Sequence, residues 1–414
     1  MSGWPTLPLG SLCDFKNGLW TGKKPPFVEA RVLRNTNFSR NGKLDFSDVA
    51  LLSVEANQLS SRRLQPGDII LEKSGGGPKQ PVGRVVLFDE PDGVYSFSNF
   101  TSVIRIRDRR SLIPEFLHWF LHSQYVAGVT EWMQKHTTGI RNLDFDSYKA
   151  IEIPLPPLTE QKRIVAILDE AFEGIAKATA NAERNWANAR ELPDALLDTV
   201  LADRDGKWVE TTLGVIADFK NGLNFTKTSK GETIRIVGVK DFQNEYWVPE
   251  EGLDTVTIDG SLPPAYELKS GDILTVRSNG NKKLIGRCMI AAGVAEKTSH
   301  SGFTIRIRVT DHRVMPEFLA HVLKSRRARA ELVASGGGAN ISSLNQQALT
   351  DLPIAFPSMA DQERILARIE SLMNGATQLA EACRLKLGSF AALKEALLHK
   401  AFSGQLTGKE AVAA

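Results

Sequence analysis

One stretch of this sequence occurs twice, and the repeat limits the folds open to the chain more than any other feature. Residues 4–201 recur, with substitutions, at residues 208–404. The clearest matches are Asp14–Leu19 with Asp218–Leu223, Gly67–Ile69 with Gly271–Ile273, Ile104–Arg107 with Ile305–Arg308, Pro114–Leu117 with Pro316–Leu319, and Glu160–Ile164 with Asp361–Ile365. Two copies in one chain predict a pseudo-dimer of similar globular units. A pseudo-dimer suits a target with its own two-fold symmetry, and duplex DNA is the commonest such target.

The composition is that of an ordinary globular protein. Of 414 residues, 42% are hydrophobic and 24% are charged. No apolar run approaches the ~20 residues that a membrane helix needs. The N-terminal segment contains Pro5, Pro8 and Asp14, where a signal peptide would have an unbroken apolar core. We therefore expect a cytoplasmic protein that does not bind membranes.

Neither the cysteines nor the net charge indicates a particular ligand. Cys13, Cys288 and Cys383 lie far apart, so the spacing predicts no zinc site and no disulfide framework. The net charge is only +3, from 51 Lys and Arg against 48 Asp and Glu. Any DNA binding would have to come from local patches, because the chain is not basic enough to coat nucleic acid through bulk charge.

Each copy begins with a mixed part that contains short β-rich runs. In Ile104–Arg107, the alternation predicts a half-buried strand with both isoleucines on one face and both arginines on the other. The segment Pro114–Ser123 starts with Pro and Glu and becomes amphipathic, which predicts a helix. The strands are grouped and do not alternate strictly with helices, as in an α/β mixed domain.

Each copy ends with a long helical part whose apolar positions recur in steps of three and four. The interface positions that we single out are Ile164, Leu168, Ile175 and Leu196 in the first copy, and Ile365, Ile369, Leu372 and Leu397 in the second. This spacing predicts a coiled-coil seam. The alternative is that each helix packs only on its own domain. Pro193 interrupts the first pattern and predicts a kink or a restart near Leu192.

The entries to the long helices carry a family resemblance. Ile151–Gln161 is followed by Arg163 and Ile164, and the second copy repeats the motif as Leu352–Gln362 with Arg364 and Ile365. Together with the closing segment, residues 396–406, these motifs resemble the specificity subunits of type I restriction-modification systems. The resemblance covers essentially the whole chain. Ala355, Phe356, Ser358 and Met359 depart from the proline-rich first copy, which affects local geometry only.

The resemblance implies an α+β fold with a pseudo-two-fold internal repeat. Two mixed α/β target-recognition domains would alternate with two long helices, which would pair as an antiparallel coiled coil. The expected boundaries are residues 1–157 for the first domain, 158–203 for the first helix, 204–358 for the second domain, 359–406 for the second helix, and 407–414 for a tail.

The same resemblance implies a DNA-recognition subunit that is not itself an enzyme. Each domain would read one half of a bipartite site in double-stranded DNA, and the helices would set the gap between the halves. Two modification (methyltransferase) subunits would dock on the helices, and restriction subunits would join them to form the nuclease. No cofactor is expected on this chain, since S-adenosylmethionine would bind to the methyltransferase partner.

The motifs of catalysis are weak or missing in the sequence. Gly75–Lys79 lacks the ending of a P-loop, and no Asn-Pro-Pro-Tyr-like segment of an amino-methyltransferase occurs. His118 and His122 have metal-ligand spacing, but a solvated helix face explains them better, since Ala320 replaces His118 in the second copy. A Gly-Asp turn accounts for Asp68 and Asp272 without catalysis. The alternatives are a duplicated DNA-binding regulator without a methyltransferase partner and, less favoured, a fused enzyme.

The best candidates for DNA contact are two polar, basic, glycine-containing loops. They follow the repeated Gly-Asp-Ile strands, and their candidate residues are Lys73, Ser74, Lys79 and Gln80 in the first copy, and Arg277, Ser278, Asn279, Asn281, Lys282 and Lys283 in the second. Lys and Arg can neutralise phosphates, while Asn, Gln and Arg can bind base edges. An ordinary solvated hairpin loop is the alternative reading.

Two weaker sets complete the candidates. Residues 136–142, with Arg141 as the only Lys or Arg, match residues 336–343 and could hold phosphates, although helix capping explains these segments equally well. The weakest set comprises Arg34, Asn35 and Asn37 in the first copy, and Lys240 and Gln243 in the second.

Overall fold

The computed structural model of the chain divides into two compact units, and each holds one mixed domain with a segment of both long helices. The first unit comprises residues 1–183 and 385–414, and the second comprises residues 184–384. The structure describes residues 3–20, 22, 24–39, 41–77, 80–137, 140–204, 207–242, 246–294, 297–335 and 343–407, with backbone alone at 136–137, 282 and 333–335.

The mixed domain of the first unit contains short strands and helices. Its strands are β1 (Thr6–Pro8), β2 (Cys13–Asn17), β3 (Phe27–Leu33), β4 (Ala50–Glu55), β5 (Asp68–Glu72), β6 (Ser74–Gly76), β7 (Val85–Phe88), β8 (Tyr95–Phe97), β9 (Thr101–Ile106), β10 (Gln134–Thr137), β11 (Ile140–Leu143) and β12 (Glu152–Pro154). Its helices are α1 (Leu9–Leu12), α2 (Ala56–Arg62), α3 (Pro114–Val126) and α4 (Phe145–Lys149), with 3-10 turns at Asn35–Asn37 and Val129–Met133.

The second mixed domain repeats most of these elements, and each domain leads into a long helix. Its strands are β13 (Val209–Thr212), β14 (Ala217–Asn221), β15 (Thr233–Val237), β16 (Asp254–Thr257), β17 (Ile273–Val276), β18 (Cys288–Ile290), β19 (Thr298–His300), β20 (Thr304–Val309) and β21 (Pro353–Phe356). Its helices are α6 (Leu213–Ile216), α7 (Pro316–Lys324), α8 (Arg326–Ser335) and α9 (Gln346–Thr350), with 3-10 turns at Val239–Asp241 and Lys282–Leu284. The long helices are α5 (Leu158–Ala202) and α10 (Met359–Phe402). Among the described residues, no helix combines the length and the apolar character needed to cross a membrane.

The four-stranded sheet and one three-stranded sheet of the first unit recur in the second with the same strand order. In the first unit β2, β9, β5 and β7 form a four-stranded antiparallel sheet, and β4, β3 and β8 form a three-stranded sheet. The second unit repeats both, as β14-β20-β17-β18 and as β16-β15-β19. In both of these three-stranded sheets the central strand pairs in parallel with the last strand, β3 with β8 and β15 with β19. The internal repeat predicted from the sequence is therefore present in the topology.

The pairing register corrects one of the matches predicted from the sequence. Ile69 pairs with Ile104, whereas Ile273 pairs with Ile307 and not with Ile305. The structural counterpart of Arg105 is therefore Arg308, two residues beyond the sequence match. A shift of two residues preserves which face each side chain lies on, so the repeated Ile-Arg pattern could not reveal it.

This register explains the two repeated aspartates. Asp68 is fully buried, and its carboxylate accepts hydrogen bonds from Nε and Nη2 of Arg105 at 2.7 and 2.6 Å. Asp272 is equally buried and accepts two bonds of 2.6 Å from Arg308. Each carboxylate also accepts a backbone N–H from three residues upstream, which closes the turn before the strand. Both aspartates are structural, as the sequence predicted.

In the first unit the start of α5 packs against the end of α10. Ile164 and Leu168 lie in one buried cluster with Leu398 and Ala401. Glu160 and Arg163 contact Thr407, while further along α5 the ring of Phe172 lies 6.0 Å from the Lys394 ammonium group. Residue numbers rise along α5 as they fall along α10, so the two helices are antiparallel.

In the second unit the end of α5 packs against the start of α10. Leu197, Val200 and Ile369 form a small buried cluster, and Arg368 donates a hydrogen bond of 2.9 Å to Asp203. The antiparallel pairing thus recurs here. In the first unit Ile164 and Leu168 also belong to the domain core. The apolar pattern there therefore reflects both proposed arrangements, pairing of the two helices and packing of a helix on its own domain.

The buried face of the helices drifts relative to the predicted seam. Ile164, Leu168, Ile175 and Ile369 are buried, while Leu196, Ile365, Leu372 and Leu397 are half-buried. The neighbours of two of them, Leu197 and Leu398, are buried instead, at 3% and 2% exposed. An α-helix has 3.6 residues per turn, so a strict seven-residue spacing moves off the contact line by about 20° per heptad.

Pro193 does not divide the first long helix, contrary to the expectation of a restart near Leu192. Helix α5 continues from Leu158 to Ala202 with the proline inside it. A proline removes one helical hydrogen bond but does not have to end a helix whose adjacent turns are packed. Here Ala189 and Leu197, one turn before and after it, are both buried.

A buried glutamine fastens each domain to the helix that follows it. The side-chain oxygen of Gln161 accepts the Ile113 N–H at 3.0 Å, and its nitrogen donates to the carbonyls of Ser111 and Pro156 at 2.8 and 2.9 Å. Gln362 makes the same three bonds in the second unit, to Met315, Arg313 and Pro357. The repeated glutamine of the helix-entry motif therefore fixes how each helix leaves its domain.

Replacing Gln161 with Ala should destabilise the first unit by about 3 kcal/mol, because it removes the partner of a partly buried N–H and of two carbonyls. The free energy of unfolding, from urea denaturation of the full chain, measures this effect. Lys162→Ala is the matched control, since Lys162 is exposed on the same helical turn. Equal urea midpoints for the two variants would show that the glutamine does not fasten the domain.

Candidate nucleic-acid interface

The first candidate loop is held by the backbone of an adjacent strand end. The N–H groups of Lys73 and Ser74 both donate to the carbonyl of Phe100, at 3.0 and 3.2 Å. The carbonyl of Lys73 accepts the N–H of Leu143 at 2.8 Å. The loop after β5 and the segment around Arg141, which the sequence suggested as two separate candidates, are therefore neighbours.

The second unit anchors its loop with the same three bonds. Arg277 and Ser278 donate to the carbonyl of Phe303 at 2.8 and 3.2 Å, and the carbonyl of Arg277 accepts the N–H of Leu344 at 2.7 Å. The counterparts are therefore Lys73 with Arg277 and Ser74 with Ser278. Each unit presents a cation and a hydroxyl from a position that equivalent backbone hydrogen bonds hold.

Beyond these anchors the two loops differ. In the first unit, β6 pairs with β11, and Ser74 Oγ donates to Asn142 Oδ1 at 2.6 Å. Gln80 then closes a tight turn with Gly77 and is exposed, and its amide oxygen lies 2.8 Å from Arg84 in the orientation that satisfies both groups. Lys79 lies outside the described residues.

The second loop is built from asparagine turns. Asn279 Oδ1 accepts the N–H of Asn281 at 2.8 Å, and Asn281 Oδ1 accepts the N–H of Lys283 at 3.1 Å. The 3-10 turn Lys282–Leu284 follows, with Lys283 exposed. The side chain of Lys282 is outside the described part of the chain. A side-chain amide oxygen has two acceptor positions, and these turns use one on each asparagine.

An open groove of the first unit brings the predicted residues together with aromatic side chains. Its lining includes Lys73, Ser74, Trp20, Phe100 and Lys149. Lys73 Nζ donates to Asn17 Oδ1 at 2.8 Å, and partial burial lowers the pKa of this lysine. In the second unit Ser278, Asn279 and Phe303 line an open groove that shares only part of its lining positions with the first.

The exposed phenylalanines are candidates that the sequence reasoning missed. Phe100 is 40% and Phe303 61% exposed, although both are large and apolar, and both hold their loops through their carbonyls. A signal was available, because each stands directly before the corresponding strand, β9 or β20. Apolar side chains in such positions can contact base methyl groups.

The weakest candidate set is largely structural. Asn37 is buried, accepts the Arg34 N–H at 2.9 Å and donates to two backbone carbonyls. Asn35 donates to the buried Glu72 at 3.2 Å. Lys240 forms an ion pair with Asp254 at 2.5 Å. Their bonds explain these residues without DNA.

Several candidates around the second loop pair lie beyond what the structure describes. Residues 138–139, Gln243 and residues 336–342 are outside the described ranges, as are the side chains of His136 and Thr137. Arg141 is described and half-buried, and it pairs with His136 in the β10–β11 hairpin.

The histidine pair of α3 is buried, so the expectation of a solvated helix face is wrong. His118 and His122 are each 5% exposed, and their rings stack 6.1 Å apart. Burial lowers the pKa of His118 to about 3 and that of His122 to about 4, which leaves both neutral at pH 7. Within the described ranges, no three or more His, Cys, Asp or Glu side chains are grouped so as to hold a metal ion.

The architecture defines a class of protein: a duplicated two-domain protein, in which two similar domains present different polar loops and are each fastened to a pair of antiparallel helices. The family model "Type I restriction modification DNA specificity domain" matches residues 1–183 and again residues 205–387. The chain therefore belongs to the family of type I restriction-modification specificity subunits.

Individual relatives agree over nearly the whole chain. The StySPI specificity subunit of Salmonella potsdam is 25% identical, and the match covers 98% of this chain and 90% of that protein. The EcoKI specificity subunit of Escherichia coli K12 is 24% identical with the same coverage of both chains.

Solved structures show the same fold. The crystal structure of the HsdS subunit from Thermoanaerobacter tengcongensis has 19% identity and a TM-score of 0.64, with 98% of each chain covered. A chain from a study of complex assembly and conformational transition of the type I R-M system has 21% identity and a TM-score of 0.73, with 98% and 99% covered. These likenesses establish the two-domain architecture with its paired helices.

Proposed function

We propose that this chain is the DNA sequence-recognition subunit of a type I restriction-modification complex. Each domain reads one half of a bipartite site, and the long helices set the spacing and dock two methyltransferase subunits. Restriction subunits complete the complex. S-adenosylmethionine binds to the methyltransferase partner, and the complex works in the cytoplasm on double-stranded DNA.

The observation that supports this proposal best is that the same backbone hydrogen bonds hold two loops of different sequence and turn geometry. Three backbone hydrogen bonds recur in both units, at Lys73 and at Arg277, with lengths that agree within about 0.2 Å. The side chains that follow differ in type and in turn geometry. Two readers of different half-sites need this combination, because the anchors position the loop while the tip supplies the base contacts.

The DNA-reading residues that we propose are those of the two loops. Lys73, Ser74, Lys79, Gln80 and Arg141 would serve the first half-site, and Arg277, Ser278, Asn279, Asn281, Lys282 and Lys283 the second. The regulator alternative is not favoured, because the family match extends over both domains and into both helices. Because Gln161 and Gln362 fasten each domain to the helix that follows it, the direction of that helix would fix the position of the reading loop.

Long-read methylation mapping of a host with and without this gene, co-expressed with its neighbouring methyltransferase, tests the function directly. We expect one split, adenine-methylated motif to disappear when the gene is deleted. Unchanged methylation with both proteins present would reject the recognition role.

Lys73→Gln should weaken binding to all DNA sequences about equally. If Lys73 neutralises one phosphate, the slope of log K against log salt should fall by about 1. Fluorescence anisotropy of the complex on labelled duplexes at several salt concentrations measures this slope. Lys177→Gln is the control, because Lys177 is exposed on α5 and paired with Glu173 at 2.7 Å. Equal slopes for both variants would remove Lys73 from the phosphate contacts.

A further inference from the structure

The same four-residue turn presents an exposed phenylalanine in both units. Ser98–Thr101 joins β8 to β9, and Ser301–Thr304 joins β19 to β20. In each turn the threonine donates its N–H and its hydroxyl to the serine carbonyl, at 2.9 and 2.8 Å. Phe100 and Phe303 are the third residues of these turns, so both rings leave the chain at an equivalent point.

A glycine at the end of the adjacent strand holds each turn in place. The N–H groups of Gly18 and Gly222 each donate to the carbonyl of the turn's threonine, at 3.1 Å. A β-carbon on Gly18 would lie 1.8 Å from the Ser98 carbonyl oxygen, and one on Gly222 would lie 2.1 Å from that of Ser301. Glycine permits this close approach of two backbones, which explains why the Asn-Gly-Leu motif occurs in both copies.

Both rings remain partly exposed although the turns around them are buried. Phe100 is 40% and Phe303 61% exposed, whereas the threonine that follows each of them is fully buried. A single exposed apolar residue is ordinary in a globular protein. Here the same exposed ring recurs at the same turn, while the residue before it has changed from Asn99 to Gly302. The recurrence indicates a contact that both units make.

Each ring lies next to the reading loop of its unit. A β-carbon on Gly75 would lie 3.3 Å from Cδ1 of Phe100, so this ring packs against the loop backbone. Phe303 lines an open groove together with Asn279 and Val256. A base edge that reaches either loop would therefore meet an apolar surface beside the polar side chains.

We propose that Phe100 and Phe303 each contact the C5 methyl group of a thymine, one in each half-site. This methyl is the apolar group that a base pair presents in the major groove, and phenylalanine is among the side chains that contact it. The inference rests on the proposed function, because only a domain that reads DNA brings its loop to the base edges. A methylated adenine in each half-site is paired with a thymine, so a residue common to both units has a target common to both half-sites.

Duplexes in which single thymines are replaced with deoxyuridine test this contact, since deoxyuridine lacks only the methyl group. The duplexes carry the site found by methylation mapping, and fluorescence anisotropy measures their binding to the assembled complex. We expect binding about fourfold weaker when one particular thymine of each half-site is replaced, which corresponds to about 0.8 kcal/mol for one buried methyl group. Phe100→Ala should abolish this difference in one half-site only, and Phe303→Ala in the other.

The loop anchors use the backbone carbonyls of the two phenylalanines, so these variants retain them. Trp132→Ala and Val215→Ala are the matched controls. Their side chains are 93% and 70% exposed, and neither lines the grooves beside the loops. Both controls should keep the fourfold difference in both half-sites. Circular dichroism melts establish that each variant is folded.

Equal binding of thymine and deoxyuridine duplexes by the wild type at every position would overturn the proposal. Folded Phe100→Ala and Phe303→Ala variants that keep the fourfold difference would overturn it too, even if they assemble poorly with methyltransferase subunits. In either case, wild-type preference for the mapped site over an unrelated duplex would still support the recognition role. Loss of that preference would reject the recognition role and, with it, this contact.

Discussion

Leu168→Asp should unfold the first unit. Leu168 has no exposed surface and lies in the cluster that joins the domain core to the end of α10. Removing a buried leucine costs about 2–5 kcal/mol, and an unpaired buried carboxylate adds to that loss. The sum is comparable to the whole stability of a typical domain, about 5–15 kcal/mol.

Urea denaturation followed by circular dichroism, with size-exclusion chromatography, measures this loss. Leu393→Asp is the matched control, because Leu393 lies on α10 in the same unit and is 46% exposed. We expect the control to keep the wild-type midpoint. A native-like midpoint for Leu168→Asp would contradict the assignment of α5 to the core.

The Ile369→Asp variant distinguishes loss of helix pairing from loss of domain stability. Ile369 packs with Leu197 and Val200 in a small cluster between the helices of the second unit, and it is not a member of that unit's main domain core, which this cluster adjoins through Leu201 and Ile365. This variant should lose the helix contact and the docking of methyltransferase subunits while the second domain remains folded. The sequence pattern predicted the same seam for Leu168 and Ile369 and could not distinguish these effects.

The sequence predicted the architecture well because the repeat and the helix-entry motif are local patterns. The duplicated mixed domains and the long helices follow from such patterns, and the family resemblance implied the antiparallel pairing of the helices. The pairing register of the strands was harder to predict. The sequence match aligned Arg105 with Arg306, whereas its structural counterpart is Arg308. The two alignments differ by two residues and therefore put the side chains on the same faces of the strand. Burial also depends on distant segments, which is why His118 and His122 were assigned to a solvated face.

The candidate loops could be located from the sequence, but the hydrogen bonds that hold them could not be predicted from it. Nothing in the sequence joins Lys73 to Leu143, because that bond links segments 70 residues apart. The same limit hid the backbone role of Phe100 and Phe303, whose carbonyls accept hydrogen bonds from a distant loop.

The double variant Asn279→Ala, Asn281→Ala should lose the sequence preference of one half-site only. Each asparagine can make a paired contact to an adenine edge, worth about 1–3 kcal/mol of discrimination, so the two together give on the order of 10²-fold or more. Because the two units present separate loops, the half-site read by the first domain should stay intact.

Methylation mapping with the double variant measures both half-sites at once. Asn345→Asp is the control, since the oxygen of Asn345 caps α9 at 2.7 Å and the substitution keeps that acceptor. We expect the control to retain the full motif. If both half-sites lost their sequence preference together, the loops would not read separate half-sites. If the methylated motif were unchanged, the residues that read the second half-site would lie outside residues 279–281. Degeneracy confined to one half would assign these asparagines to base recognition, since a phosphate contact would weaken binding at every sequence alike.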